Sequence, residues 1–335
     1  MKPLIFFDPH PRTRAMVYTA KVKRALAPIA RVMTYFEGPA PDSLIEKVLP
    51  QISILIGQTN LPAARLRRAP KLRAIINVLG NWRGNIDYHT AQKAGIRVLT
   101  VAPAIAPAVA EYCLGQAINL GRGLRRADEL FRCGQERYGI KGNQKVTSLY
   151  GAKVGLIGFG NLGRALVPLL APFGSQISVY DPWVSARYLS NFAVRQASLE
   201  AVLENSRFIF ILAGATDTNK GFLDRKTLRL IKQDACVILA SRALVVDFRA
   251  LTALAQEGRF RLAVDVFPAE PVSKDASIRG FDQILFSAHI AGGTRDSYRL
   301  MCDMMIDDIR LILSGHPPLH LQQADPNLAP RMRSL

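Results

Sequence analysis

The chain has 335 residues, 49% of them apolar, and a net charge of +18 from 44 Lys and Arg against 26 Asp and Glu. That length and that evenly spread apolar content suit two globular domains and exclude a disordered chain. No apolar run reaches the roughly 18 residues of a membrane span, and the start MKPLIFFDPHPRTR holds too short an apolar stretch for a signal peptide, so a cytoplasmic protein without a membrane partner is expected.

The positive charge is dispersed, as in RLRR at 65–68 and GRGLRR at 121–126. No basic patch is interleaved with aromatic residues, so nucleic acid is not an expected partner. Cys113, Cys133, Cys236 and Cys302 form no C-x-x-C pair, and the histidines lack metal-ligand spacing. His316 and His320 are four apart, but Pro317 and Pro318 break the helix that such a pair needs. Free thiols and no bound metal are predicted.

In chain order, the first apolar run, Leu4 to Phe7, reads as a strand ended by Pro9, followed by a helical pattern near 14–26. The runs ARVMTY at 30–35, ISILIG at 52–57, LRAIINV at 72–78 and RVLTV at 97–101 continue the rhythm, with helical stretches such as DSLIEKVL between them. Short strand then helix, repeated, predicts a parallel sheet covered on both faces. The segment VAPAI at 101–105 reads as a join, and a long helix is predicted from Pro107 to about Arg132.

A second series starts at Lys153 with KVGLIG, QISVYD, FIFILA, CVILAS, FRLAVDV and QILFSA, again with helical segments in most gaps. The fold class is therefore α/β, with two doubly wound parallel-sheet domains. A last helix is predicted from about Thr294 to Leu313. The Pro-rich tail after Gly315 is expected to be loosely ordered.

The stretch KVGLIGFGNLG places Gly158, Gly160 and Gly163 in G-x-G-x-x-G register between a strand and a helix. Gly158 permits the tight turn, Gly160 lets a pyrophosphate approach the backbone, and Gly163 lets helix and strand pack closely. The amides of Phe159, Gly160, Asn161 and Leu162 and the helix dipole then face phosphates. QISVYD ends in Asp181, whose carboxylate suits ribose hydroxyls and repels a 2′-phosphate, which favours NAD over NADP, although Arg187 lies close enough in sequence to reach a 2′-phosphate. Pro168 inside the following helix predicts a kink or a helix regular only in its first two turns.

Arg242, Asp265 with Glu270, and His289 each follow one of the next three strands. In an open parallel sheet, ligands bind beyond the carboxyl ends of the strands, so Arg, Glu and His are expected to converge at one site. His289 can take or give a proton, imidazole being the side chain that ordinarily titrates near neutral pH. Glu270 orients it, and Arg242 grips a carboxylate through a fork of hydrogen bonds.

With these residues in view, the sequence resembles the NAD-dependent D-isomer-specific 2-hydroxyacid dehydrogenases. The marks are NIDYHTAQKAGIRVL, AVAEYCLG, the GFGNLG turn with YDP, SRALVVD, DVFPAEP and SAHIAGG. The resemblance implies that Arg242, Glu270 and His289 are catalytic and that Asp265 contacts the nicotinamide carboxamide. Thr216, Ala240 and Ser241 fall at its cofactor-binding positions, and Leu79, Gly80, Asn81 and Arg83 in its substrate loop. It also implies a discontinuous flavodoxin-like substrate domain, residues 1–103 with 296–335, and a Rossmann NAD-binding domain, 104–295. A cleft between the two and a homodimer formed through the second domain belong to the same pattern.

The chain departs from that pattern in VLGNWRGNID, where Asn81, Trp82 and Arg83 replace small or apolar residues. Two readings are open: a surface loop with a packed Trp, or a reshaped pocket in which Arg83 serves a larger or doubly anionic substrate. Ala243, LAGAT at 212–216 and APAIAPAVAE are milder departures that bear on the identity of the 2-hydroxy acid. Too little chain follows Gly315 for the appended regulatory domain of some phosphoglycerate dehydrogenases. Two alternatives stand beside the leading reading: a phosphite-type or other small-anion dehydrogenase, and a non-catalytic NAD-sensing, corepressor-like binding protein.

Overall fold

Runs of apolar residues buried on both faces form the strands of two separate parallel sheets. The computed structural model describes residues 2–332. The described chain divides into two units: one runs through Ala106 and adds Thr216–Thr218 and the residues from Gly293 on; the other comprises Pro107–Ala215 and Asn219–Gly292.

In the first unit, β1 (Leu4–Asp8), β2 (Arg31–Thr34), β3 (Ile52–Gly57), β4 (Ala74–Asn77) and β5 (Arg97–Thr100) are joined by β13 (Gln322–Gln323) in the order β2–β1–β3–β4–β5–β13. Neighbouring strands β1 to β5 pair in parallel, and β13 runs antiparallel to β5. Alternation along β1 sends Ile5 and Phe7 to one face and Leu4 and Phe6 to the other. The first face packs on Met301, Met305 and Ile309 of the helix Arg295–Leu313. The second packs on Leu49, Leu66, Trp82 and Tyr88.

The second unit holds β6 (Lys153–Ile157), β7 (Gln176–Tyr180), β8 (Arg195–Gln196), β9 (Phe208–Ile211), β10 (Cys236–Leu239), β11 (Arg261–Val264) and β12 (Ile284–Phe286). All pair in parallel, in the order β8–β7–β6–β9–β10–β11–β12. The chain winds one way from β6 and then the other, so the strand order reverses beside the carboxyl end of β6. In a doubly wound sheet that reversal opens the ligand crevice.

Three elements differ from the sequence expectation. The long helix starts at Ala102 and carries Pro107 inside it, ending at Arg122. Pro103 falls in the first turn, where a missing N–H costs nothing, and Pro107 forfeits a single bond. Gly123 then adopts a left-handed conformation, φ 64°, and a separate helix runs Leu124–Arg132. The helix after the glycine turn continues through Pro168 to Leu170 before tightening into the 3-10 turn Ala171–Phe173.

The tail from Gly315 through Met332 is not loose, and the chain's last three residues lie outside the described ones. The buried carboxylate of Asp308 accepts hydrogen bonds from the amides of Leu319, His320 and Leu321, and this anchors the chain that enters β13. A 3-10 turn, Ala329–Arg331, then buries Ala329. Among the described residues no helix is long and apolar enough to cross a membrane. All four cysteines are free thiols, and only Cys133 is exposed.

Removing the Asp308 carboxylate leaves its amides without an acceptor. Asp308→Ala is expected to lower the unfolding free energy by about 3 kcal/mol, read from chemical denaturation, because each buried group left unpaired costs roughly 1–3 kcal/mol.

Candidate functional site

At the end of β6 the chain turns at Gly158, φ 95°, where a Cβ would lie 2.6 Å from the backbone of Ala213. Only glycine fits there. A Cβ on Gly163 would stand 3.1 Å from the Gly158 carbonyl oxygen and 3.2 Å from the Phe159 ring, so Gly163 sets the close packing of helix on strand. A Cβ on Gly160 would meet nothing within 4 Å. The space in front of the helix Asn161–Leu170 is therefore open, and the first-turn amides and positive end of that helix suit a diphosphate.

Asp181 directly follows β7, and it does something the sequence does not reveal. Its Oδ2 accepts from the Phe159 amide at 2.7 Å and its Oδ1 from the Trp183 amide at 2.9 Å. Phe159, read from sequence as a phosphate donor, thus has its N–H turned to Asp181. Each Asp181 oxygen keeps a second lone pair for a ribose hydroxyl. The Arg164 guanidinium donates to Asn161 Oδ1 and Tyr188 Oη, while Arg187 is exposed.

The same unit carries the three chemical groups. Glu270 Oε1 accepts from the Phe267 amide at 2.9 Å, which leaves Oε2 facing His289 Nδ1 at 2.7 Å. With Nδ1 held by the carboxylate, Nε2 has no partner among the described residues, and the His289 side chain is 47% exposed. Arg242 lies just beyond β10 in extended conformation and donates to the Ser241 carbonyl oxygen at 2.5 Å. Burial pushes its guanidinium pKa down, and the negative charge of Glu270 partly offsets that. A desolvated guanidinium with a carbonyl for company is a cation poised for an anionic ligand.

His289 adopts φ 54°, a left-handed conformation that costs a non-glycine residue roughly 1 kcal/mol. Asp265, 1% exposed, holds it there. Its backbone carbonyl accepts the His289 amide at 2.8 Å. Its Oδ1 accepts from the Ser287 hydroxyl at 2.5 Å and the Ile290 amide at 3.0 Å, and its Oδ2 from the Ala291 amide at 3.0 Å. The resemblance assigns this carboxylate to a nicotinamide carboxamide; here both oxygens are engaged by the chain on either side of the histidine.

Sequence reasoning missed Ser287 and Tyr112. The Tyr112 hydroxyl lies 2.6 Å from Ser287 Oγ, and burial pushes the phenol up to about 12. Tyr112 and Ser287 sit inside the quoted stretches AVAEYCLG and SAHIAGG, next to the residues that drew attention. Ser241 gives its hydroxyl to the Ile211 carbonyl at 3.0 Å, and Ala240 is buried beside it in sequence. Thr216 falls in the other unit, where its hydroxyl lies 3.2 Å from that of Thr218 and its backbone bridges to Met332.

In the first unit, the candidate substrate loop follows β4. The Leu79 amide donates to Asn77 Oδ1 at 2.8 Å and is not available to a ligand. The amides of Gly80 and Asn81 have no acceptor among the described residues. Trp82 is buried edge-on against Tyr88, ring centroids 6.3 Å apart, and Tyr88 Oη donates to the Arg83 carbonyl at 2.6 Å. The tryptophan is therefore packed and pins the loop, and Arg83 is exposed. Among the described residues no three His, Cys, Asp or Glu side chains gather as metal ligands.

With this geometry in hand, comparison with known proteins is informative. Residues 114–291 match the family model described as D-isomer specific 2-hydroxyacid dehydrogenase, NAD binding domain. The chain is 26% identical over 283 residues to the D-3-phosphoglycerate dehydrogenase of Mycobacterium tuberculosis, covering 84% of this chain and 53% of that one, so it spans about half the length of that relative. It is 27% identical over 268 residues to the hydroxypyruvate reductase of Thermotoga maritima, covering 78% and 85%. A solved phosphoglycerate oxidoreductase from Rhizobium etli superposes with a TM-score of 0.87 at 35% identity, covering 97% of this chain and 99% of that one.

The contrast between two glycines tests the turn. Gly158→Ala is expected to cost at least about 2 kcal/mol of stability through its backbone clash. Gly160→Ala should melt near the parent temperature yet bind NADH at least tenfold more weakly in a fluorescence titration, because its methyl fills the space left for phosphates.

Proposed function

The chain belongs to the D-isomer specific 2-hydroxyacid dehydrogenase family, and on that footing we propose that it interconverts a D-2-hydroxy acid and a 2-oxo acid with NAD(H). The observation that carries this reading is the Glu270–His289 contact at 2.7 Å, in the unit that bears the glycine turn. Reduction of a 2-oxo acid adds a hydride to the carbonyl carbon and a proton to its oxygen. When bound, the nicotinamide supplies or accepts the hydride.

His289 gives the proton from Nε2 to the carbonyl oxygen and takes it back in oxidation. Glu270 keeps the ring in one orientation and stabilises the charged imidazole. Asp265, with Ser287 and Tyr112 behind it, positions the histidine backbone. Arg242 binds the substrate carboxylate. In the first unit, the Gly80 and Asn81 amides, with Leu79 and Arg83, are the residues this reading assigns to substrate binding.

The Asp181 carboxylate favours NAD, since a 2′-phosphate beside it meets like charge. Gly158, Gly160, Asn161, Leu162 and Gly163 form the diphosphate cradle, and Ala240 and Ser241 border the nicotinamide. Thr216 completes the cofactor set in this reading. A cytoplasmic location accords with the use of that coenzyme pool.

The same reading includes a twofold dimer built on the second unit. The helix Leu124–Arg132 buries none of its residues. With the chain that follows it, that helix leaves Leu124, Phe131, Tyr138, Ile140 and Tyr150 at 50%, 64%, 77%, 83% and 72% exposure. So much apolar surface on one segment is the mark of a covered face.

Two experiments decide these points. NADH oxidation is followed against glyoxylate, hydroxypyruvate, phenylpyruvate and oxaloacetate, and NAD reduction against phosphite. Turnover with a 2-oxo acid is expected, and its absence across the panel sinks the proposal. His289→Ala and Arg242→Ala should each lower kcat/KM by about 10³ while NADH still binds. In sedimentation, the parent chain should run as a dimer and the double variant Phe131→Glu, Ile140→Glu as a folded monomer.

A further inference from the structure

A cavity of about 520 Å³ opens at the amino ends of β4 and β5, and every residue lining it belongs to the first unit. This is the opposite edge of the sheet from Gly80 and Asn81, which follow β4 at its carboxyl end. The helix Tyr88–Lys93, the end of the helix Arg295–Leu313 and β13 complete the walls. Small-molecule sites are commonly roughly 300–1,000 Å³, so the hollow has the size of one.

Two arginines line it. Arg73 precedes β4 and Arg97 begins β5, and the Arg97 amide donates to the Arg73 carbonyl at 2.9 Å. Arg73 Nη1 donates to the Leu313 carbonyl at 2.9 Å, and its remaining side-chain N–H groups meet no acceptor among the described residues. Arg97 is half-buried, and its guanidinium has neither acceptor, acid nor ring among the described residues. No Asp or Glu lines the cavity. Two acids adjoin the lining in sequence, and both are turned to backbone: Asp325 Oδ1 accepts from the Asn327 and Leu328 amides, and Asp87 Oδ1 from the Thr90 amide.

A hollow lined by one sign of charge concentrates ions of the other sign, and a half-buried cation without a partner is stabilised by gaining one. The rest of the wall narrows the choice of anion. Buried Leu72, Ile96 and Val98 reach it with apolar surface, and the Gln323 carboxamide offers both a donor and an acceptor. An anionic head on an apolar body matches this lining.

We propose that the cavity is a binding site for a small organic dianion, a phosphate monoester or a dicarboxylate carried on an apolar group, with Arg97 as its principal contact and Arg73 beside it. The site draws on none of the residues assigned to the reaction, so it stands whichever substrate the chain reduces. Because β13 and the helix that leads to it form part of the walls, an occupied site ties the tail to the sheet and stabilises the first unit by mass action.

The test is calorimetric titration of phenyl phosphate, phthalate, inorganic phosphate and benzyl alcohol into the NADH-bound protein. It is run on the parent chain, Arg97→Met, Arg97→Lys and Arg31→Met, the last removing an exposed charge from the far edge of the same sheet. Each is also made with Arg242→Ala, which removes the anion-binding group of the second unit. Phenyl phosphate or phthalate should bind at least about tenfold more tightly than inorganic phosphate, benzyl alcohol should not bind, and Arg242→Ala should leave these results unchanged. Whichever organic dianion binds more tightly identifies the head group as phosphoryl or carboxyl. Arg97→Met should weaken that dianion at least tenfold, Arg97→Lys should keep part of the affinity, and Arg31→Met should stay within twofold of the parent. The dianion should raise the melting temperature of the parent and not that of Arg97→Met. Arg97 makes no side-chain contact that the fold uses, so Arg97→Met should melt with the parent when no ligand is present, which separates lost binding from lost structure. Failure of both organic dianions to bind, binding indifferent to Arg97, inorganic phosphate binding equally well, or an equal loss in Arg31→Met overturns the proposal; the last is what net charge alone gives.

Discussion

A carboxylate taken out of water has to find donors close by, and Asp265 finds them on both sides of one histidine. The Ser287 hydroxyl and the Ile290 and Ala291 amides converge on its two oxygens, and its own carbonyl takes the His289 amide. Breaking such a set would strand a buried charge, a cost of several kcal/mol. That penalty exceeds the roughly 1 kcal/mol of a left-handed backbone at His289, so the strained conformation persists. Because the backbone is fixed, the imidazole meets Glu270 with Nδ1, and Nε2 is the nitrogen left over. The ring nitrogen left open is thus chosen by hydrogen bonds within two residues either way along the chain.

The rest of the second unit explains why such a group sits where it does. Parallel strands whose residues are buried on both faces leave only their ends for chemistry. Arg242, Glu270 and His289 follow β10, β11 and β12, and the glycine turn follows β6, so all four emerge from the same edge of one sheet. The first unit repeats the logic: Arg12, Gln58, Asn77 and Thr100 lie at or just beyond the carboxyl ends of β1, β3, β4 and β5. Each sheet spends its apolar residues on stability and collects its polar ones at a single rim.

Much of this was legible in the residues. Strands such as FIFI are apolar throughout and are read as buried strands without ambiguity, and G-x-G-x-x-G between strand and helix constrains its own geometry. What the sequence could not disclose was which acceptor a given amide finds. Phe159 and Leu79 stand where the sequence led us to expect ligand donors, yet their N–H groups go to Asp181 and Asn77. Tyr112 and Ser287 escaped notice because a tyrosine in a helix and a serine after a strand have many ordinary uses. The tail was misread for a related reason. Its prolines argue for loose chain, while the carboxylate that anchors it, Asp308, belongs to the preceding helix and looks like one more solvated acid there.

The net charge of +18 also acquires a physical account once the arginines are followed individually. Some pair with acids, as Arg65 does with Asp42 and Glu46, and Arg132 with Asp128. Others have no acid and instead donate to backbone carbonyls at the ends of helices, Arg73 to Leu313 and Arg261 to Leu120, or in a loop, Arg279 to Val272 and Ser273. In that use a guanidinium serves as a cap whose fork reaches carbonyls that a helix or strand leaves open. Part of the positive charge thus goes into tying the chain to itself. Arg12 and Arg242, with Arg164 and Arg207, form a third group. Each is partly buried and held in place by neutral groups, and each retains N–H donors that nothing in the described chain accepts. Desolvation makes an unspent donor on a cation expensive.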